Sequence, residues 1–214
     1  MLSPEERARA ARFHSPEHGA RFVVAHARLR QLLAPLLDIA PSRIQFTAGE
    51  HGKPLLAGTA ARSELHFNLS HSGAYGLVGW AHGREIGVDV EVWRPTSDEA
   101  ALVRRYFSPS EIAAYEALPP ALRTEGFFNC WTRKEAYIKA VGRGLGLPLD
   151  SFDVSIDSGA AACLLRPSGL CDDTRQWSLA APQLAPRVSM AVVLQAADVR
   201  ATMAMRDTQS LPWP

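Results

Sequence analysis

The chain has 214 residues, 47% of them apolar, and a net charge of +1. That is enough apolar material for one generous domain or two small ones with a packed core, and the near-neutral balance provides no overall field for nucleic acid or acidic membranes, so a polyanion must be met by a local cluster. No run approaches the roughly 18 apolar residues of a membrane span, and the opening MLSPEERARAARF carries acids and arginines where a signal peptide is apolar. The expectation is a cytoplasmic protein that binds neither membrane nor nucleic acid. Cys130, Cys163 and Cys171 are odd in number, widely spaced and without a CxxC; they read as small buried residues rather than disulfides or zinc ligands.

In chain order, Ser3-Pro4-Glu5-Glu6 reads as a capping box opening a short helix. A second helix runs from about Ala20 to Leu37, where Phe22, Ala25, Leu29, Leu32, Leu33 and Leu36 recur at three and four; Pro35 weakens its last turn. RIQFTAGEHGKPLL is a short strand entering a Gly-Lys-Pro turn, and ELHFNLSHSG alternates before breaking at glycine. AYGLVGWAHGREIGVDVEVW predicts a hairpin joined at His82-Gly83. Ser108-Pro109-Ser110-Glu111 is a second capping box, closed by Pro119-Pro120. Thr124 to about Val141 predicts the longest helix of the second half, ended by Gly142, Gly144 and Gly146. SFDVSI, residues 163–166, WSLAAP and VSMAVVL supply further strands, and the tail QSLPWP is expected to be loosely held. The fold class expected is α+β, with lobes 1–95 and 96–214.

The chemistry begins at GVDVE, residues 87–91. On a strand Asp89 and Glu91 share one face, and at about 6 to 7 Å they repel by about 2 to 3 kcal/mol at an effective dielectric near 20. In WTRKEAYIKAVGRGLGLPLD, residues 131–150, Trp131, Glu135 and Lys139 form one helical stripe. An isolated Glu to Lys pair at this spacing is ordinarily a solvated surface feature, but the aromatic neighbours Phe127, Phe128 and Trp131 argue against a solvated face. The glycines after this helix read as caps rather than as a phosphate loop, which would precede a helix. Asp89, Glu91 and Glu135 together are oxygen donors suited to a hard divalent cation such as magnesium, or manganese in its place, which completes its shell with substrate phosphates. Candidate phosphate partners are Lys53, Ser70, His71, Lys134 and Lys139, with Arg21 and Arg30 of the early helix.

FNLSHSG, GVDVE and WTRKEAYIKAVGRGLGLP, in that order and preceded by GKP, resemble the 4'-phosphopantetheinyl transferases of the larger, surfactin-synthetase-activating type. The resemblance implies a monomer of two similar lobes related by a pseudo-twofold axis, with coenzyme A at their junction and apo acyl, peptidyl or aryl carrier domains as partners. It implies Asp89, Glu91 and Glu135 as magnesium ligands, Lys139 as a phosphate contact, Lys53, Ser70 and His71 as nucleotide grips, and Arg30 at the 3'-phosphate. His14, Glu17 and His18 stand where the family tends to carry lysines. The expected reaction moves the phosphopantetheine arm of coenzyme A to a carrier serine, with Glu135 as base, directly or through a metal-bound water, and Lys139 stabilising the leaving bisphosphate. Two alternatives are a metal-dependent phosphodiesterase, with His66 and His71 as added ligands, and a non-catalytic module that binds carrier domains. Loops around residues 106–126 are expected to select the carrier.

Overall fold

Both capping boxes form. The computed structural model describes residues 1–94, 98–157, 161–166 and 177–196. Ser3 caps helix α1 (Pro4–Ala10) and Ser108 caps α4 (Pro109–Ala117), each with its reciprocal glutamate. Helix α2 spans Pro16–Leu37, beginning a turn earlier than the apolar periodicity suggests because Pro16 suits a first helical position; Pro35 is accommodated inside its last turn. Strands β1 (Gln45–Ala48) and β2 (Pro54–Ala57) form an antiparallel hairpin, which places Lys53 in a turn. Leu29 and Leu33 of α2 pack with Ile44, Leu65 and Phe67 into the core of this half.

Strands β3 (Leu65–Ser72) and β4 (Tyr75–His82) pair antiparallel, Leu65 opposite His82 and Ser72 opposite Tyr75. Strand β5 (Ile86–Val92) follows, but the hairpin expected at His82-Gly83 is absent: β5 instead pairs antiparallel with β9 (Val188–Leu194), which also carries β8 (Ser178–Ala180). The tight turn lies one connection earlier, at Gly73, whose positive φ of 58° suits glycine.

Helix α3 (Glu99–Tyr106) precedes α4, and α5 (Arg123–Val141) runs through the second half with Gly142 in the left-handed conformation as its stop. Phe127, Phe128, Tyr137 and Ile138 of α5 join Phe107, Phe152 and Val193 in the larger core. Strands β6 (Asp153–Val154) and β7 (Leu164–Arg166) pair beside it. The α+β class is as expected. Cys130 is buried, whereas Cys163 is only partly so. Residue 95, the expected lobe boundary, Cys171 and the tail QSLPWP lie outside the described residues. No helix among the described residues is long and apolar enough to cross a membrane.

Candidate active site

Gly87, Asp89 and Glu91 occupy the face of β5 that meets α5. A Cβ on Gly87 would overlap the carbonyl of Ala136 and the amide of Ala140, so its absence lets strand and helix backbones touch. That approach brings Asp89 and Glu91 to the part of α5 that carries Glu135 and Lys139. The opposite face, Val88 and Val90, is fully apolar and buried.

The edge of β5 away from β9 has no backbone partner on β3. Side chains of β3 take its place: the N–H groups of Val88, Val90 and Val92 donate to Asn68 Oδ1 at 2.8 Å, Ser70 Oγ at 3.4 Å and Ser72 Oγ at 3.1 Å. The same serines reach the acids. Ser70 Oγ donates to Asp89 Oδ1 at 2.7 Å, and Ser72 Oγ donates to Glu91 Oε2 at 2.7 Å. Lys139 Nζ donates to Asp89 Oδ1 at 2.6 Å and to Ser70 Oγ at 3.2 Å. The helical stripe therefore points its lysine across to the strand.

Burial pushes the Asp89 carboxyl above the ordinary aspartate range; the Lys139 ammonium and the Ser70 hydroxyl pull it back, and Glu91 adds to the rise. Burial likewise raises Glu135, with Asp89 and Glu91 repelling its charge and Lys139 opposing them. Asp89 and Glu135 thus remain electrostatically under-compensated with the lysine in place. Asp89 Oδ2 is buried without a hydrogen-bond partner. Among the described residues no three His, Cys, Asp or Glu side chains are already gathered as a metal cage, yet an orphaned carboxylate oxygen beside two further acids fits a hard cation that keeps several waters and borrows substrate oxygens.

Two candidate phosphate ligands are corrected. Arg30 is 1% exposed: its Nε donates to Glu6 Oε2 at 2.9 Å, and its Nη1 donates to the carbonyls of Pro41 and Ile44, both at 2.7 Å. It is a strut between α1, α2 and the approach to β1. Lys134 is 0% exposed, and its three protons are consumed by Glu111 Oε2 at 2.7 Å and the carbonyls of Leu149 at 2.6 Å and Phe152 at 2.7 Å. It belongs to the core beneath α5.

The remaining candidates divide by position. Lys53 sits at the junction, donating to Glu85 Oε2 at 2.7 Å, the carbonyl of Ile86 at 3.2 Å and the carbonyl of Ala140 at 3.3 Å. It thereby ties the first hairpin to the start of β5 and the end of α5. His66 pairs with Glu85 at 2.9 Å. His71 is exposed and, one residue from Ser70 and from Ser72, leaves the opposite face of β3. Ser72 and Glu85 were not legible as site residues, nor Asn68 as a support of β5. The available signal was Asn68-x-Ser70-x-Ser72, a period-two run of hydrogen-bonding side chains on one strand face.

The chain matches a family model described as the 4'-phosphopantetheinyl transferase superfamily over residues 85–193, and one described as 4'-phosphopantetheinyl transferase, N-terminal, over residues 1–81. It is 39% identical over 184 residues to the putative 4'-phosphopantetheinyl transferase slr0495 of Synechocystis sp., covering 86% of this chain and 73% of that one. It is 41% identical over 155 residues to 4'-phosphopantetheinyl transferase HetI of Nostoc sp., covering 72% and 65%. To 4'-phosphopantetheinyl transferase Sfp of Bacillus subtilis it is 34% identical over 156 residues, covering 73% and 67%. The chain belongs to the 4'-phosphopantetheinyl transferase superfamily.

Proposed function

We propose that this transferase moves the phosphopantetheine arm of coenzyme A to the serine of an apo acyl, peptidyl or aryl carrier domain, with magnesium or manganese held by Asp89, Glu91 and Glu135. The observation that supports the metal reading most strongly is Asp89: a carboxylate 4% exposed, with one oxygen orphaned and its proton affinity raised by burial despite an ammonium on the other oxygen. Bound there, the cation would neutralise charge on the pyrophosphate oxygens.

The reaction forms a bond between the carrier serine oxygen and the phosphorus of the phosphopantetheine arm, and breaks that phosphorus's bridging bond to the nucleotide. Adenosine 3',5'-bisphosphate leaves with the bond's electron pair. The serine proton goes to Glu135, whose affinity for protons is raised by burial and by its acidic neighbours. Lys139, already donating to Asp89 and Ser70, holds a positive charge beside the leaving phosphate. Ser70 orients Asp89 through its hydroxyl. Lys53 fixes the hairpin turn against the junction where the nucleotide is read.

A phosphodiesterase using His66 and His71 is disfavoured, because the first pairs with Glu85 and the second points off the other face of β3. The test is to incubate the protein with coenzyme A, magnesium and a panel of apo carriers, and weigh the products. The arm appears on a carrier; its appearance as free phosphopantetheine would favour hydrolysis. Asp89→Ala should abolish transfer in limiting magnesium while remaining folded, and transfer at the wild-type rate would sink the metal assignment.

A further inference from the structure

The serine ladder between β3 and β5 does two jobs at different rungs. Asn68 accepts only the Val88 N–H, at 2.8 Å, so it serves as a pure main-chain substitute. Ser72, 8% exposed, accepts the Val92 N–H at 3.1 Å, which leaves its single hydroxyl proton to donate, and the recipient is Glu91 Oε2 at 2.7 Å. A strand N–H thus fixes the hydroxyl, and the hydroxyl fixes one oxygen of the acid and hence the direction of the other.

We propose that Ser72 is a positioning residue for the metal site: through its Oγ, held by the Val92 N–H, it aims the Glu91 carboxylate at the cation. The inference rests on the reading of Glu91 as a ligand. Ser70 cannot replace it, because the Ser70 hydroxyl proton is committed to Asp89 Oδ1. A partner that orients a ligating carboxylate acts on metal affinity without touching the metal. Ser72 therefore acts on affinity for the cation, and on coenzyme A only through the cation.

The test uses Mn2+ alone as probe, with bound ion measured by electron paramagnetic resonance, on the whole chain and without coenzyme A. Ser72→Ala should weaken Mn2+ binding by about 10-fold. It also orphans one β5 N–H, so Asn68→Ala, which orphans one β5 N–H and touches no carboxylate, is the matched control; it should lose thermal stability while Mn2+ affinity stays within about 2-fold. Ser72→Thr, which keeps the hydroxyl, should restore binding. If Ser72→Ala does not fold, Ser72→Cys, a poorer donor of similar size, carries the same comparison. Equal Mn2+ losses in the Asn68 and Ser72 variants would overturn the proposal in favour of general loosening of the junction, as would unchanged Mn2+ affinity in the Ser72 variant. Glu91→Ala separates the two levels: if it too leaves Mn2+ binding unchanged, the ligand reading has failed, whereas a loss there with none at Ser72 condemns the positioning role alone.

Discussion

At the residue scale, Glu135 is held between two other acids and an ammonium, and its proton affinity is raised by burial first and by Asp89 next. A base must be ionised, so the acid limb of kcat/KM should fall at a pH above the ordinary glutamate range when magnesium is scarce and shift downward as magnesium is saturated, because a cation favours the ionised form. Glu135→Gln should flatten that limb and lower turnover by about 10² or more, with a smaller loss of coenzyme A binding measured by calorimetry. Glu6 shows the opposite electrostatics. Burial opposes its charge, but hydrogen bonds from the Ser3 N–H, His26 and Arg30, with the Arg30 charge, outweigh that and lower its pKa. A lowered folded pKa means stability present above the unfolded value and lost as pH falls through the folded one. Glu6→Gln, which leaves the buried Arg30 without its counter-charge, should cost about 3 kcal/mol at neutral pH. Urea unfolding of the two proteins should converge in acid as wild-type Glu6 protonates.

At the scale of elements, the contact that assembles the site is β5 against α5 at Gly87. A methyl there meets helix backbone, which cannot step aside as a side chain does. Gly87→Ala should therefore cost about 3 kcal/mol, the upper part of the range for overpacking, and should weaken Mn2+ binding as Asp89 and Glu135 separate; urea midpoints and Mn2+ titration check both. Much of this element was legible beforehand. GVDVE announces its two carboxylates by alternation alone, and both capping boxes form because their signals are complete within four residues. The burial of Arg30 and Lys134 is not legible in the sequence because charge type says nothing about depth: the partners that hold them, Glu6 and the carbonyls of Pro41 and Ile44 for one, Glu111 and the carbonyls of Leu149 and Phe152 for the other, are distant in sequence. The absence of a β4–β5 hairpin has a related reason. A turn signal fixes where a chain bends, but β9 competes for β5, and that contest is decided by tertiary packing.

At the scale of the molecule, the halves differ in core. The second is anchored by α5, packed against β5 and β9 with aromatic clusters around it, whereas the first relies on a small cluster centred on Leu29, Leu33 and Phe67. Native-state hydrogen exchange should accordingly show α1, β1 and β2 opening at lower free energy than α5 and β9, and uniform protection across both halves would contradict that ranking. The strand that carries the acids has a further property. Val92 stands opposite Val188 in the β5–β9 register, so during synthesis at about 5–20 residues per second β5 waits on the order of 5 to 20 seconds for β9 to emerge. A solitary apolar strand is a template on which foreign strands grow. Asn68, Ser70 and Ser72 have by then already left the ribosome. In the folded chain their side chains close one edge of β5, leaving a stray neighbour only the edge that β9 claims.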